Sequence, residues 1–542
     1  MKSSSEYDVV IVGGGINGAG IARDAALRGL TVLLLEQNDF GSGTSSWSSR
    51  LIHGGLRYLE YGEIPLVYES LRERRILRTT AKHLVRSLRI SIPVYEHSRR
   101  GLLTLRAGMI AYDLLSLRKS LPRHRVLDRD EFLRNEAGVN PSGLRGGVQY
   151  YDAQVPYAER LVIENVIAAK GAGAVVRNYS KVTGIDVREG GVKRLFYSDD
   201  RTGFETEVHA NIVVNAAGPW VDSVQATLNL PAPGKLLGGT KGSHIIVGQF
   251  EGAPRDAFYV EAQSDGRPFF IIPWNSQFLI GTTDIRYDGD PADARASDTE
   301  IRYLISETNR VFPQANLSTE DIHYTYAGVR PLPQRSGPES AITRKHIIMQ
   351  HRDARGLWTV IGGKLTTYRS LAEDAVDRIV RKAGLKARAC ITREENLPGA
   401  NLLKEAEAEL QRFRQLTPEC RQRMLGVYGG RARHILELAR TEPHLCATLD
   451  PKQTVIAAEV AFTLRSELAT NLIDIQHRRT MTGLAADQGA SVAEGIAAAA
   501  ARELGWTEAE MRKQLDALRA YNAKLSPHRA SPEAVPDLLP LN

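Results

Sequence analysis

Short apolar runs and small-residue turns alternate near the start of the chain, at positions that predict a strand, a helix and a second strand. Residues 8–12 form an apolar, β-branched run typical of a buried strand. Residues 13–18 are rich in glycine, and residues 19–27 place alanine and leucine at helical spacing. A second apolar run, residues 31–35, ends at Glu36. This order predicts a βαβ unit in a parallel sheet.

The glycine-rich turn of this unit has the spacing G-x-G-x-x-G at Gly13, Gly15 and Gly18. In that pattern the glycines allow a tight turn, close approach of the backbone to a pyrophosphate, and close packing of helix on strand. Glu36 follows about 20 residues later, where an acid accepts hydrogen bonds from ribose hydroxyls and repels a 2′-phosphate. The four residues predict a nucleotide site; the alternative is a tight turn without a ligand.

The pattern changes twice further along the chain. Residues 171–176 and 210–220 predict further buried strands, and residues 231–340 alternate short strands with turns, which favours an antiparallel sheet. From about residue 390 the composition shifts towards Ala, Leu, Glu and Arg. That shift predicts helices over residues 401–415, 431–441, 453–475, 492–504 and 507–523.

Composition narrows the possible classes of protein. The chain has 542 residues, 42% of them hydrophobic and 25% charged, which indicates a globular protein of two or three domains. Its three cysteines, Cys390, Cys420 and Cys446, lack C-x-x-C spacing, so we expect no disulfide framework, iron–sulfur cluster or metal site, and a reducing cytoplasm. We find no secretory signal and no apolar run of about 18 residues, the length that spans a bilayer.

A net charge of +7 is concentrated partly in residues 65–125, which are basic and helical in rhythm. Leu102, Leu103, Met109, Ile110 and Leu114 form an apolar stripe flanked by arginines. Such a stripe suits a helix on anionic lipid, and it equally suits a helix that faces a protein core with a solvated basic side. Because interleaved aromatic residues and known motifs are missing, we expect no nucleic-acid binding.

Residues 41–49 form a serine- and glycine-rich loop that includes Thr44, Ser45 and Ser49. The loop is either a flexible linker or a segment that wraps a phosphate-bearing cofactor. Its position between a core strand and an apolar helix favours the cofactor.

An ordered series of motifs now identifies a family. The chain resembles the FAD-dependent glycerol-3-phosphate dehydrogenases, a respiratory, membrane-associated family among the glutathione-reductase-like flavoproteins that include D-amino-acid oxidase. The resemblance runs from residue 8 to about residue 525. It is carried by Gly13 to Gly18, Thr44-Ser45, Ser49 to Tyr58, Ala216 to Trp220, Lys241 to His244, Gly281 to Asp284, Tyr326 to Pro331 and Leu357 to Arg369.

The resemblance implies an α/β fold in which a Rossmann-like FAD-binding domain is interleaved with an antiparallel-β substrate domain, followed by a C-terminal α-helical domain. We expect the FAD-binding domain at residues 8–80, 144–230 and 341–385, and the substrate domain at residues 81–143 and 231–340. The helical domain is expected at residues 390–525 and a loose, Pro-rich tail at residues 526–542.

The same resemblance implies a set of cofactor contacts and partners. Electrons from glycerol 3-phosphate would pass through FAD to a membrane quinone, at a peripheral contact with the cytoplasmic face of the inner membrane; a homodimer is left open. The expected FAD contacts are Gly13, Gly15, Gly18, Glu36, Thr44, Ser45, Ser49, Arg50, Ala217, Gly218, Gly362, Leu365 and Thr366.

Oxidation of a secondary alcohol by a flavin also needs a base and a clamp for the rest of the substrate. Phosphate calls for cationic donors, and the resemblance implies Arg57 and Arg330, with Tyr58 nearby, as the phosphate clamp. Lys364 would contact either substrate or the flavin carbonyl edge. For the base we prefer His53, with His244 as the alternative, because imidazole titrates near neutral pH.

Three other functions stay open at this point. An oxidase would pass its electrons to oxygen, and access of oxygen to the flavin depends on packing. An amine oxidase on the same fold would act on glycine or sarcosine, against which the two arginines and the long helical C-terminus argue. A flavin-binding assembly module without turnover would hold FAD that glycerol 3-phosphate fails to reduce.

Overall fold

The computed structural model describes residues 6–60, 62–116, 121–189, 191–230, 234–334 and 345–526. The side chains of Arg57 and Glu60 lie outside this description, as does the predicted loose tail beyond Ser526. The strands are numbered in chain order: β1 Glu6–Tyr7, β2 Val9–Val12, β3 Val32–Leu35, β4 Leu51–Ile52, β5 Arg86–Tyr95, β6 Arg125–Leu127, β7 Leu144–Gln154, β8 Val175–Arg177, β9 Ser180–Arg188, β10 Gly191–Asp199, β11 Phe204–Ala210, β12 Val213–Asn215, β13 Thr240–Val247, β14 Ala257–Glu261, β15 Pro268–Trp274, β16 Gln277–Gly281, β17 Ile285–Arg286, β18 Ile322–Arg330, β19 Ile347–Gln350 and β20 Leu357–Ile361.

The α-helices are numbered in the same way, and short 3-10 turns connect several of them. They are α1 Ile16–Leu27, α2 Arg57–Glu60, α3 Ile64–Thr80, α4 Leu102–Leu115, α5 Arg129–Asn135, α6 Ala158–Gly171, α7 Val221–Gln225, α8 Asp298–Val311, α9 Tyr368–Ala383, α10 Leu403–Arg412, α11 Pro418–Tyr428, α12 Ala432–Thr441, α13 Ala457–Ser466, α14 Leu472–Asp474, α15 Ala493–Leu504 and α16 Glu508–Lys524.

A six-stranded sheet forms the cofactor half of the molecule, in the order β19-β20-β12-β2-β3-β8. Five of its strands are parallel, and β19 is the antiparallel edge. Helices α1, α6 and α9 cover one face, and the four-stranded sheet β1-β11-β10-β9 covers the other. Because both faces are covered, β2 and β3 are buried along their whole length, as their continuous apolar runs predict.

A larger, mainly antiparallel sheet forms the substrate half, in the order β17-β13-β16-β15-β14-β5-β7-β4 with β18 paired to β13 and β6 to β7. Helix α8 packs on one face of it, in a core of aromatic and aliphatic residues. The C-terminal helices α10 to α16 share a separate core with its other side. The predicted fold class, an α/β cofactor domain interleaved with an antiparallel sheet and followed by helices, is confirmed.

The structure differs from the predicted elements in several places. The helical rhythm expected over residues 65–125 is wrong for β5, which pairs with both β7 and β14 in the large sheet. The helix expected over residues 453–475 is interrupted after Ser466, where Leu468 has a left-handed φ of 60°. Helix α11 was not predicted. In each case long-range packing, which a single-chain pattern does not report, decides the local conformation.

Strand β7 pairs with β5 in the substrate sheet, although residues 144–230 were expected in the cofactor domain. The chain therefore returns to the cofactor half only after this strand, at α6 and β8. The full set of domain boundaries stays a prediction.

Candidate active site

Two adjoining cavities lie between the two halves of the molecule. The first, about 220 Å³, opens at the carboxyl ends of β2, β3 and β12, where ligands bind in open α/β sheets. The second, about 710 Å³, lies against the large sheet. Both are lined by Thr44, Ser48 and the turn at residues 362–365, so the two cavities form one cleft that runs from the parallel sheet to the antiparallel sheet.

The glycine-rich turn forms the floor of the first cavity. Gly13 has a φ of +107°, and a Cβ placed on it would lie 2.6 Å from the carbonyl oxygen of Ala216. A Cβ on Gly18 would lie 1.8 Å from the carbonyl oxygen of Gly13, so the helix can pack on the strand only with glycine there. Gly15 lines the cavity directly before α1, which places the positive end of the helix dipole at the cleft.

Glu36 lies at the end of β3 and lines the first cavity. Its two carboxylate oxygens accept the backbone amides of Gly14 (2.6 Å) and Asn38 (2.9 Å). Burial raises the pKa of Glu36, and the two amides oppose that shift. Each oxygen keeps a second lone pair, so the carboxylate can accept ribose hydroxyls as the sequence predicts.

The serine- and glycine-rich loop is held in place from two sides. Ser45 Oγ accepts the backbone amide of Ile16 (3.0 Å), and Thr44 Oγ1 donates to the carbonyl oxygen of Val329 (2.7 Å). Both residues line the first cavity. Ser49 lines the second cavity, where its Oγ lies 2.9 Å from Nε2 of His244. These contacts are those of a wrapping segment rather than of a flexible linker.

Arg50 was predicted as a cofactor contact, but its guanidinium is used inside the protein. It is fully buried and forms two hydrogen bonds with Glu159, both 2.7 Å, and it lies over the ring of Trp274. It also donates to the carbonyl oxygens of Ser46 and Pro156. A buried guanidinium with these partners anchors the loop, and the sequence carried no sign of the distant Glu159.

The remaining predicted cofactor residues lie on two turns that face the cleft. Ala217 and Gly218 line the first cavity after β12. Gly362 and Leu365 line both cavities after β20, and φ at Gly362 is +73°. Thr366 lines the second cavity, and its hydroxyl accepts the backbone amide of His53 (3.1 Å).

The predicted substrate residues meet in the second cavity although they come from distant parts of the chain. Arg330, at the end of β18, donates to Asp284 (2.9 Å) and to Thr282 Oγ1 (3.1 Å). Lys364 donates to Ser70 Oγ (2.8 Å), and its ammonium lies 4.2 Å from the ring centre of Tyr58. Arg57 begins α2 beside them, and its side chain lies outside the described atoms.

Two histidines line the same cavity, and both are neutral at physiological pH. Burial lowers the pKa of His53 to about 4; Asp152 opposes the shift, whereas Lys364 and Arg74 add to it. Burial, with help from Arg330, holds the pKa of His244 well below its usual value. In the described part of the chain, Nδ1 of His244 has no hydrogen-bond partner, although the side chain is only 2% exposed. A neutral imidazole can accept a proton.

Sequence reasoning missed several residues of this cavity. Arg99 and Arg100, assigned to the flank of a surface helix, line its mouth beside Arg267, and Arg100 pairs with Glu261. The basic run was visible in the sequence. Its partners lie on or beside β14 and β15, which are too far away in the sequence for the contact to be predicted. Trp47, which had no predicted role, packs on Tyr326 with ring centres 5.4 Å apart.

The class of protein follows from this geometry. A glycine turn, a helix N-terminus and an acid at the second strand form a dinucleotide site, and the cleft continues into a cavity with cationic and imidazole side chains. Such a cleft belongs to an oxidoreductase that binds an extended dinucleotide and a small anionic substrate end to end.

Comparison with known proteins gives the family. Residues 8–378 match the model described as FAD dependent oxidoreductase, and residues 390–511 match the C-terminal domain of alpha-glycerophosphate oxidase. A glycerol-3-phosphate dehydrogenase of Synechocystis sp. is 45% identical over 533 residues, 96% of each chain. Glycerol-3-phosphate dehydrogenase 2 of Mycobacterium tuberculosis is 35% identical over 525 residues, 94% of this chain and 87% of its own.

Solved structures agree with this assignment. The glycerol-3-phosphate dehydrogenase from Bacillus halodurans, complexed with FAD, aligns with a TM-score of 0.78 at 28% identity, over 98% of this chain and 97% of its own. Glycine oxidase from Geobacillus kaustophilus shares the fold over 73% of this chain and 99% of its own, with a TM-score of 0.54 at 22% identity. The chain belongs to the FAD-dependent oxidoreductases, in the glycerol-3-phosphate dehydrogenase family, and its cofactor is FAD.

The residues of the cleft fit this cofactor. A Cβ on Gly13 or Gly18 would strike backbone, so the tight turn at the floor of the first cavity forms only because both are glycine, and Gly15 presents no side chain to the cavity that it lines. The small residues Ala217, Gly218 and Gly362 line the way towards the second cavity. FAD in this cleft would lie with adenosine towards Glu36 and with its flavin ring towards the turn at residues 362–366.

Proposed function

We propose that this protein oxidises sn-glycerol 3-phosphate to dihydroxyacetone phosphate and passes the electrons through FAD to a membrane quinone. The observation that carries the proposal is the second cavity, where Arg330, Lys364 and two neutral histidines adjoin the turn at residues 362–366. A small anionic alcohol needs both kinds of group, cations for its phosphate and a base for its hydroxyl. Relatives that cover nearly the whole chain are named as glycerol-3-phosphate dehydrogenases.

The cations of the cavity serve the phosphate. Arg330 and Lys364 already donate to neutral hydroxyls, at Thr282 and Ser70, and a phosphate oxygen is a stronger acceptor than either. Arg57 is proposed as a third donor from α2. The arginines at the mouth, Arg99 and Arg100, raise the local concentration of an anionic substrate. An amine substrate such as glycine has no phosphate, so most of these cationic side chains would have no group of the substrate to bind.

His53 is the proposed base. Because it is neutral, it accepts the proton of the substrate hydroxyl while the carbinol hydrogen leaves as hydride, so that the alcohol becomes a ketone. FAD, when bound, accepts that hydride. His244 is held by Ser49 and packs on Tyr326, with ring centres 4.8 Å apart, so we assign it to substrate orientation.

A surface of α4 supports the proposed contact with the membrane. Met109 and Tyr112 are buried, whereas Leu103, Ile110 and Leu114 are 82%, 47% and 61% exposed and follow one another along one side of the helix. Among the described residues, no helix combines the length and the apolar composition that a membrane crossing requires. The exposed apolar side of α4 would instead lie in the interface, at the cytoplasmic face of the inner membrane.

An anaerobic titration tests the reaction. Glycerol 3-phosphate is added to the FAD-loaded protein, and the absorbance band of oxidised flavin is followed. We expect the band to bleach, to return on addition of a quinone analogue, and to return only slowly in air. Fast recovery of the band in air would indicate an oxidase in place of a dehydrogenase. An unchanged band would overturn the substrate, and glycine and sarcosine would then be titrated in the same way.

Vesicle sedimentation tests the membrane contact. The variant Leu103→Ser/Leu114→Ser should bind vesicles with anionic headgroups roughly a hundredfold more weakly than the unchanged protein, since each leucine contributes roughly 1.5 kcal/mol when buried and about 1.4 kcal/mol is tenfold. Phe204→Ser is the control, because Phe204 is 74% exposed on the four-stranded sheet of the cofactor half. Equal loss in both variants would argue against a specific role for α4.

A further inference from the structure

Two short segments form the end of the first cavity where Glu36 lies. Residues 36–38 and residues 180–182 line the cavity there. The segments are bonded to each other, because Tyr179 N donates to the carbonyl oxygen of Asn38 (2.9 Å) and Ser180 N donates to that of Glu36 (2.7 Å). Residues 36–38 belong to no helix or strand, and residues 180–182 are the first three residues of β9.

Behind these segments lies a buried group of charges that does not line the cavity. Asp39 accepts two hydrogen bonds from Arg479 (2.8 and 2.9 Å) and a third from Arg478. The three residues are at most 4% exposed. Burial opposes the charge on Asp39, but the guanidinium groups of Arg479 and Arg478 outweigh it and hold the pKa of that carboxyl below its usual range. Asp39 is therefore a fixed anion next to the cofactor segment.

The second segment is held from the same direction. The hydroxyl of Tyr179 donates to Asp474 (2.6 Å) and accepts from Asn471 Nδ2 (2.6 Å). Asn178 Nδ2 donates to Asp39 (3.1 Å) and to the carbonyl oxygen of Leu468 (2.9 Å). All these C-terminal partners lie within residues 468–479, a stretch that includes α14 and the π-helical turn that follows it. One piece of the C-terminal domain thus contacts both segments.

From this arrangement we infer that the C-terminal helical domain completes the FAD site, with Arg479, Arg478 and Asp474 as positioning residues for the adenosine end of the cofactor. They act through Asp39, which directly follows the cavity-lining residues 36–38, and through Tyr179, which directly precedes the cavity-lining residues 180–182. A preorganised segment loses less conformational freedom when the cofactor binds, so the clamp lowers the rate at which FAD leaves. The inference concerns FAD retention alone, so its failure would leave the proposed substrate untouched.

The test compares two tyrosine-to-phenylalanine variants of the full-length holoenzyme. Tyr179→Phe removes the link from the cofactor segment to Asp474 and keeps the ring. Tyr324→Phe is the matched control, because its buried hydroxyl also donates to the C-terminal domain, at the carbonyl oxygen of Leu484 (2.9 Å), but starts from the substrate sheet. FAD release is followed by the recovery of flavin fluorescence after dilution, and hydrogen exchange is measured on the FAD-free protein.

We expect Tyr179→Phe to release FAD about tenfold faster than Tyr324→Phe, the change expected when one hydrogen bond to a charged group is lost. Amide exchange should rise over residues 36–39 and 178–181 and stay unchanged over residues 362–366. The unfolding temperatures of the two FAD-free variants should agree. A tyrosine with a purely structural role would instead lower the unfolding temperature without raising amide exchange in these two segments. Equal release rates in the two variants would overturn the inference.

A second variant tests the arginine directly. Arg479→Lys keeps the charge and loses the paired geometry on Asp39. It should also speed FAD release, with the same two segments gaining exchange. Where this variant fails to fold, the tyrosine pair alone decides the outcome.

Discussion

The two ends of the cleft are built in different ways. At the cofactor end the shape of the surface depends on turns whose glycines leave no room for a Cβ. At the substrate end the surface carries charged and imidazole side chains, and Arg330, Lys364 and His244 are each bonded to another side chain before substrate arrives. The cofactor end should therefore respond to changes in size and the substrate end to changes in charge. Four predictions, from the largest expected effect to the smallest, test this difference.

Gly18→Val should abolish FAD binding. The new Cβ would lie 1.8 Å from the carbonyl oxygen of Gly13, and backbone cannot move aside as a flexible side chain can. The measurement is the flavin-to-protein absorbance ratio after purification. Gly171→Ala is the control, because a Cβ there meets nothing within 4 Å at the end of α6. Retention of FAD by the valine variant would refute the steric argument.

Arg330→Met should lower kcat/KM for glycerol 3-phosphate by roughly 10³-fold, because it removes a phosphate donor and also the positive charge that Arg330 places beside the carboxylate of Asp284. FAD content should be unchanged, in contrast to the glycine variant. Steady-state kinetics and flavin absorbance provide both values. Arg302→Met, on the exposed side of α8, is the matched control. A normal kcat/KM in the Arg330 variant would indicate that the phosphate binds elsewhere in the cavity.

His53→Asn should lower kcat by about 10²-fold, the lower end of what a general base contributes. Since burial lowers the pKa of His53 to about 4, the unchanged enzyme should lose kcat/KM only as the pH falls through about 4, below the ordinary histidine pKa. This decrease of kcat/KM at acid pH should be absent from the pH profile of the variant. His444→Asn, on an exposed turn, serves as control. If the decrease at acid pH persists, another group accepts the proton of the substrate hydroxyl, with His244 as the next candidate.

Glu36→Gln should raise the dissociation constant of FAD about tenfold, since one carboxylate oxygen is replaced by an amide that faces the N–H of Gly14 or Asn38. Fluorescence titration of FAD-free protein measures this constant. The exposed Glu437→Gln on α12 provides the reference value. A smaller effect at this one polar side chain than at Gly18 is what a site built from backbone predicts.

The sequence by itself determined the cofactor end. Gly13, Gly15, Gly18 and Glu36 lie within one short βαβ unit. Their spacing alone therefore predicts where the backbone can approach a pyrophosphate and where the helix can pack on the strand. The fold class followed for the same reason, because buried parallel strands and helical stretches each have their own apolar period. The predicted substrate residues His53, His244, Arg330 and Lys364 came from resemblance to a family and not from any local constraint.

Only the tertiary structure decided which charges meet. Arg50, an expected FAD contact, pairs its guanidinium with the buried Glu159, and Arg100 lines the second cavity. Asp39 and Arg479 are 440 residues apart in the chain and share two hydrogen bonds. A buried charge is stable only beside its partner, and the partner's position depends on how distant strands and helices pack. Local patterns carry no information about that packing.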